Sequence, residues 1–222
     1  MPSASTRVRT SIELRTPLLL TRAFAGARGV TLRAVLAYVA VWALIGGVSR
    51  FSMSALGLYF APPGSSSLDT VAVVFMLLPA AALANSTASR VPELEAVRSR
   101  VLLVAQCLWL LAIVGAATIV PWATSFTLSQ AVDRNSYFST WLLVLSAMLV
   151  VHAVTTTMVA SMVAMSLVAA FSTPGLVPWE YNLIYNLAEK GLAAGVGIVL
   201  LLIWGSLQVA QHTRQVGIPN PD

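Results

Sequence analysis

The sequence predicts an all-α polytopic membrane protein: about six transmembrane helices, an N-terminal interfacial amphipathic helix, and a short outer reentrant segment before the last span. Three observations carry that expectation. Hydrophobic residues fill 58% of the 222 positions and charged residues only 9%, whereas an average soluble domain carries about 25% charged residues. Several apolar runs approach the roughly 20 residues that a helix needs to cross a bilayer. Between two of these runs stands one charged island, holding Arg90, Glu93, Glu95, Arg98 and Arg100. A charged side chain at the bilayer centre costs about 2.5–3.5 kcal/mol even on the mildest scale. The island therefore belongs in water with a span on either side, and its excess of arginine assigns that water to the cytoplasm.

Residues 1–31 read as a cytoplasmic basic tail followed by the interfacial helix. From Ser11 to Val30, apolar Ile12, Leu14, Leu18, Leu19 and Phe24 alternate with Arg15, Arg22 and Arg28, a pattern that lays a helix along headgroups with its arginines reaching out to them. A disordered basic tail is the alternative. Pro17–Leu20 is too short, and too soon interrupted by Arg22, for the apolar core of a signal peptide. The net charge of +5 gathers ahead of the first span, so contact with membrane lipid accounts for it and nucleic acid is not implied.

The first span is expected over 32–60, with Arg50 late in it as a snorkelling or an intramembrane charge. The second covers 68–88, kinked at Pro79, with Ala80, Ala84 and Ala88 recurring every fourth residue as a shaved stripe for helix packing. The coupling-type loop occupies 89–100 and the third span 101–122, ending at Pro121-Trp122 in the aromatic belt. Residues 123–136 form an outer loop. The run from Tyr137 to Phe171 exceeds one ordinary span. Two short spans, 137–152 and 154–172, meeting near His152 and the threonines 155–157 fit it best. A single overlong helix would instead put the C-terminus outside.

Residues 173–190 form the outer or reentrant segment, rich in proline and aromatic residues. The sixth span, 191–210, opens with Gly191 and Gly195 in a GxxxG pattern for close packing. A cytoplasmic tail, 211–222, follows, so both termini are cytoplasmic and the chain is multi-pass in the cell membrane.

Several chemistries have no support. There is no GxxxxGK[ST] phosphate loop, and the sole lysine, Lys190, has no glycine cradle before it. No HExxH occurs and His152 and His212 stand far apart, so no metal site is expected. Cys107 is the only cysteine, which excludes an intramolecular disulfide. No GxSxG is present. The chain is thus expected to hold no cofactor and to be no enzyme. Candidates for a substrate path are Arg50, His152 and Glu180. Glu180 and Glu189 together with Asp69 would make an acidic vestibule, or are ordinary interfacial carboxylates. His152 would relay protons if it met an aqueous cavity, or would cap a helix end.

The order of parts resembles the membrane (permease) subunit of type-2 ATP-binding-cassette exporters. A basic amphipathic segment (Ser11 to Val30) leads in, a charged loop (Arg90 to Arg100) joins spans two and three, and a proline- and tryptophan-containing segment (Pro174 to Ala188) precedes the last span. The resemblance covers nearly the whole chain as layout. It implies that Arg90, Glu93, Glu95, Arg98 and Arg100 belong to a coupling helix docking on a separate cytoplasmic ATPase subunit. It also implies a second permease copy or paralogue, and a hydrophobic or amphipathic cargo. An accessory or immunity-type membrane subunit without a transport path is the competing expectation.

Overall fold

A computed structural model describes residues 25–26, 28–57, 61–88, 100–128 and 132–216. Among them, regular structure is helical. Thr31 caps the first helix, α1 (Leu32–Val48), by accepting the Ala34 N–H at 3.2 Å. The helix stops well short of Phe60, where the apolar run had placed its end. The Ser49 hydroxyl turns back to the Gly46 carbonyl at 2.6 Å, and Gly46-Gly47 is a weak helix former. Arg50 follows in an exposed turn.

The next pass is broken in two, α2 (Ala72–Phe75) and α3 (Leu77–Thr87). Pro79 explains the break: its ring clashes with the carbonyl four residues back, which is that of Phe75. The following helix, α4 (Arg100–Ser125), continues through Pro121 rather than ending there. Pro121 has no N–H, so the Ala117 carbonyl loses its helical partner. The Trp141 indole N–H takes that carbonyl at 2.8 Å, which ties α4 to the next helix.

That helix, α5 (Arg134–Val154), is the axis of the bundle, with 10 of its 21 residues buried. Its end and the start of α6 (Thr157–Ser172) are separated by two residues, and the Thr156 hydroxyl caps α6 at the Val159 N–H. The long apolar run is therefore two helices. The last helix is α7 (Lys190–Val216). Three stretches are long and apolar enough to cross a membrane, Leu108–Ser125, Arg134–Val154 and Leu187–Gln208, while the other apolar helices are shorter.

Successive helices, with α2 and α3 taken together, alternate in direction. The end of α6 and the start of α5 both meet residues 182–186, through Ser172 and Thr140. At the opposite end Trp109 of α4 reaches the Ser86 carbonyl of α3 at 3.2 Å, and Arg28 donates to the Thr87 carbonyl at 3.1 Å. Arg28 is buried, so it serves the C-terminus of α3 instead of reaching for headgroups. The rest of the expected interfacial helix, residues 11–24, lies outside the described residues.

Two kinds of contact build the core. Between α1 and α5, fully buried Trp42 meets Trp141 edge-on at 4.8 Å and Tyr137 at 6.5 Å. Elsewhere small residues allow close approach. Ala80 and Ala84 of α3 are fully buried, as are Ala160 and Ala164 of α6, and these two helices pack together. Ala88 lies just past α3 and is half-buried.

The most extensive contact is α5 on α7. Gly197 makes it possible: a Cβ there would come within 2.9 Å of the Leu142 side chain and 3.2 Å of its backbone. Gly191 and Gly195 have nothing near. Gly197→Val should therefore wedge the two helices apart and destabilise the protein by about 1–3 kcal/mol. Gly195→Ala should be neutral or stabilising by up to about 1 kcal/mol. Thermal unfolding in mild detergent checks both.

Candidate functional site: a hydrogen-bonded cap beside a lateral apolar cleft

Chain connections that lack regular structure must still satisfy their backbone polar groups. At one end of the bundle they do so around Lys190. This residue opens α7 and is only 7% exposed. Its ammonium donates to the Thr140 hydroxyl of α5 at 2.7 Å, to the Leu183 carbonyl at 3.3 Å and to the Ile184 carbonyl. Three N–H groups thus meet three acceptors. A cation at a helix N-terminus opposes the macrodipole, and this carbonyl cage offsets that cost.

The acceptors are held by two asparagines with matching roles. Asn182 takes the Tyr185 N–H on its side-chain oxygen at 3.0 Å and gives its amide to the Phe171 carbonyl at 2.9 Å. Asn186 takes the Ala188 N–H at 3.0 Å and gives its amide to the Trp179 carbonyl at 3.1 Å. Side chains that bond local backbone in this way compete with helix. The segment, expected as outer or reentrant, accordingly forms two short 3-10 turns, Trp179–Tyr181 and Leu187–Glu189, around a buried turn.

Three further contacts close the cap. The Leu68 N–H donates to the Tyr185 carbonyl at 2.7 Å and the Leu187 N–H to the Ser66 carbonyl at 3.2 Å, forming a bridge between Ser67 and Asn186. The Tyr185 hydroxyl pairs with Ser172 at 2.8 Å, and burial pushes it up to a pKa of about 12, so it stays neutral. Asp69 accepts both the hydroxyl and the N–H of Ser54, which fixes the turn after α1.

The proposed path residues are not brought together. Arg50 and Glu180 are exposed at the capped end. His152 sits at the other end of α5, with its Nε2 2.9 Å from the Thr157 hydroxyl, and so braces the α5–α6 turn. Asp69 is engaged by Ser54, and among the described residues no three His, Cys, Asp or Glu side chains gather as a metal-binding group. Of the charged island, Arg90, Glu93, Glu95 and Arg98 lie outside the described residues, and Arg100 is the first residue of α4. Sequence reasoning passed over Lys190 as a structural centre. The available signal was the one lysine of the chain standing at the head of an apolar run, where only a satisfied cation is tolerated.

Beside the cap, α4, α5 and α7, with Leu83 of α3, line a partly open cleft of about 310 Å³, and Val114 on its α4 side is 53% exposed. Phe138, Leu142 and Leu145 form its floor, with Thr118 on one wall and Ala194 and Trp204 on the other. Its hydroxyls are already engaged: Thr118 donates to the Val114 carbonyl at 2.8 Å and Ser139 to the Asn135 carbonyl at 3.0 Å. The cleft suits an apolar occupant. Toward the cap, Trp122 and Phe126 of the α4 end meet edge-on at 4.9 Å, and the Arg134 guanidinium lies 4.9 Å over the Phe126 ring.

Two outcomes follow for the cap. Lys190→Met takes a donor from Thr140 and from the Leu183 and Ile184 carbonyls, of which Ile184 keeps the Thr140 hydroxyl, and should cost about 1–3 kcal/mol of stability, read by thermal unfolding in detergent. Asp133 caps α5 through the Ser136 N–H at 2.7 Å, and its hydrogen bonds from Ser136 hold its carboxyl below the ordinary 3.8. Its contribution is thus fully present above pH 3.8 and is lost as pH falls through the lower folded value. Asp133→Ala should cost about 1 kcal/mol at neutral pH and nothing once the carboxyl is protonated, as pH-dependent melting of both proteins would reveal.

The chain matches no protein-family model, no curated protein and no solved structure.

Proposed function

We propose that the chain is the transmembrane subunit of an ABC-type exporter that moves a hydrophobic or amphipathic substrate, driven by a separate cytoplasmic ATPase subunit. In this reading the alternating helices are six membrane passes, both termini lie in the cytoplasm, and the capped end faces outward. The shorter passes, such as Ala72–Thr87 and Thr157–Ser172, rise roughly 24 Å and reach the interfaces with help from their flanking turns. Apolar side chains directed outward support the embedding: Leu36, Leu111, Met158, Met165 and Leu202 are each at least 59% exposed, an arrangement that water would penalise.

The observation that carries the export reading is the cleft. Its lining lies along the lengths of α4, α5 and α7, with Val114 53% exposed, so in this reading a cargo dissolved in the bilayer reaches it without crossing water. Glu93, Glu95, Arg98 and Arg100 supply the contact with the ATPase, and a second permease copy or paralogue completes the pathway.

The second reading is an accessory membrane subunit with no path of its own. The closed cap favours it, because hydrogen bonds seal the end of the bundle where a substrate would leave. Replacing Glu93 and Glu95 with lysine separates the two. Export predicts loss of co-purification with an ATPase and loss of its stimulated hydrolysis, with melting of the membrane subunit unchanged. Retained association and hydrolysis would favour the accessory role.

A further inference from the structure

The cleft and the rim above it share one face of the molecule. On α5, Arg134 stands one turn before Phe138, and residues four apart lie on the same helix face. On α4 the same spacing links Thr118 of the cleft wall to Trp122 and then to Phe126. Both helices therefore lead from apolar lining to the aromatic pair and the guanidinium. Trp122 and Phe126 are 57% and 55% exposed, as aromatic side chains are at the boundary between hydrocarbon and headgroups.

From Phe138 to Leu149 the floor of the cleft extends about 16 Å at 1.5 Å per residue. That matches one leaflet, half of a hydrocarbon core about 30 Å thick. The cleft thus begins at headgroup level and ends near the bilayer midplane. Its hydroxyls are satisfied internally, so most of the lining asks only for apolar contact, while the buried Trp204 indole N–H is left as an open donor. One turn from Phe138 of the lining, exposed Arg134 presents a planar fork of donors, the geometry that suits phosphate. No carboxylate pairs with Arg134 among the described residues. The neighbouring Asp133 directs its carboxylate to the α5 N-terminus instead.

We infer that this cleft is a binding site for one anionic phospholipid of the leaflet on the capped side, with an acyl chain along Phe138, Leu142 and Leu145 and its phosphate on Arg134. The inference rests on the membrane embedding proposed above and is independent of any ATPase. A resident lipid here would fill the space between α4 and α7, which touch each other little. It would thereby support α4, whose cap-side ties are the Tyr38 and Trp141 hydrogen bonds to the Ala116 and Ala117 carbonyls and whose other end is held by Trp109 on the Ser86 carbonyl.

Native mass spectrometry of the full chain, exchanged into mild detergent with phosphatidylglycerol or phosphatidylcholine, tests this. One phosphatidylglycerol should be retained per chain, in preference to phosphatidylcholine. Arg134→Gln should reduce that preference about fivefold, the value of one arginine near an anionic surface, while a lipid of either kind still binds. Thr118→Phe and Ala194→Phe fill the cleft from opposite walls, and each should abolish retention. Using both guards against one of them misfolding, with unchanged helical circular dichroism as the criterion. Loss of retention in a folded cleft-filling variant that still binds an ATPase would separate this site from the coupling loop. Equal retention of the two lipids by the wild-type chain, or retention unaffected by a folded cleft-filling variant, would overturn the inference.

Discussion

The ammonium group of Lys190 and the carbonyls that enclose it constrain this structure more than any other contact. A buried cation is tolerated only if every donor finds an acceptor, and here the acceptors come from α5 and from the turn before α7. Satisfying one charge thus fixes the depth at which residues 182–186 enter the bundle. The same turn offers the Tyr185 carbonyl to Leu68 and the Tyr185 hydroxyl to Ser172. The start of α2, the end of α6 and the start of α7 are consequently positioned from one place. Buried irregular backbone is stable only where its polar groups find partners, and Asn182 and Asn186 supply most of the remainder.

Proline does comparable work in α4. By withholding an N–H, Pro121 leaves the Ala117 carbonyl open, and Trp141 occupies it. This hydrogen bond crosses between helices that otherwise make few contacts. The result is a helix tethered near its middle and spaced from α7, which is the condition for a lateral cleft. Gly197 acts in the opposite sense, drawing α7 onto α5. One close contact and one open one, both on α5, give the molecule its asymmetric cross-section.

Much of the helix order could be read from apolar runs and their interruptions. The division of 137–171 followed from length and from Thr155-Thr156-Thr157, and the structure places the break there. The break near Pro79 followed from its chemistry, and Ala80 and Ala84 are buried as a shaved stripe would be. What periodicity could not report is which small residue meets a neighbour. Gly191 and Gly195 have the familiar spacing, yet the close approach belongs to Gly197, because it is the phase of the helix against α5 that selects the contact. The end of α1 was misplaced for a related reason: apolar composition runs on to Phe60, whereas Ser49 and two glycines end the helix locally. The site was least legible. Arg50, His152 and Glu180 attracted notice as charges in apolar context, but two are exposed and the third braces a turn. Lys190 and the asparagines act through backbone carbonyls, and carbonyls leave no mark in a sequence.

The membrane reading requires the capped end and the charged island to lie on opposite faces of a bilayer. Site-directed labelling with a membrane-impermeant maleimide measures this directly, after Cys107→Ser removes the only native thiol. In intact cells Leu176→Cys, exposed on the cap, should label, whereas Glu95→Cys should label only after permeabilisation. Labelling of both positions from the same side would contradict the account.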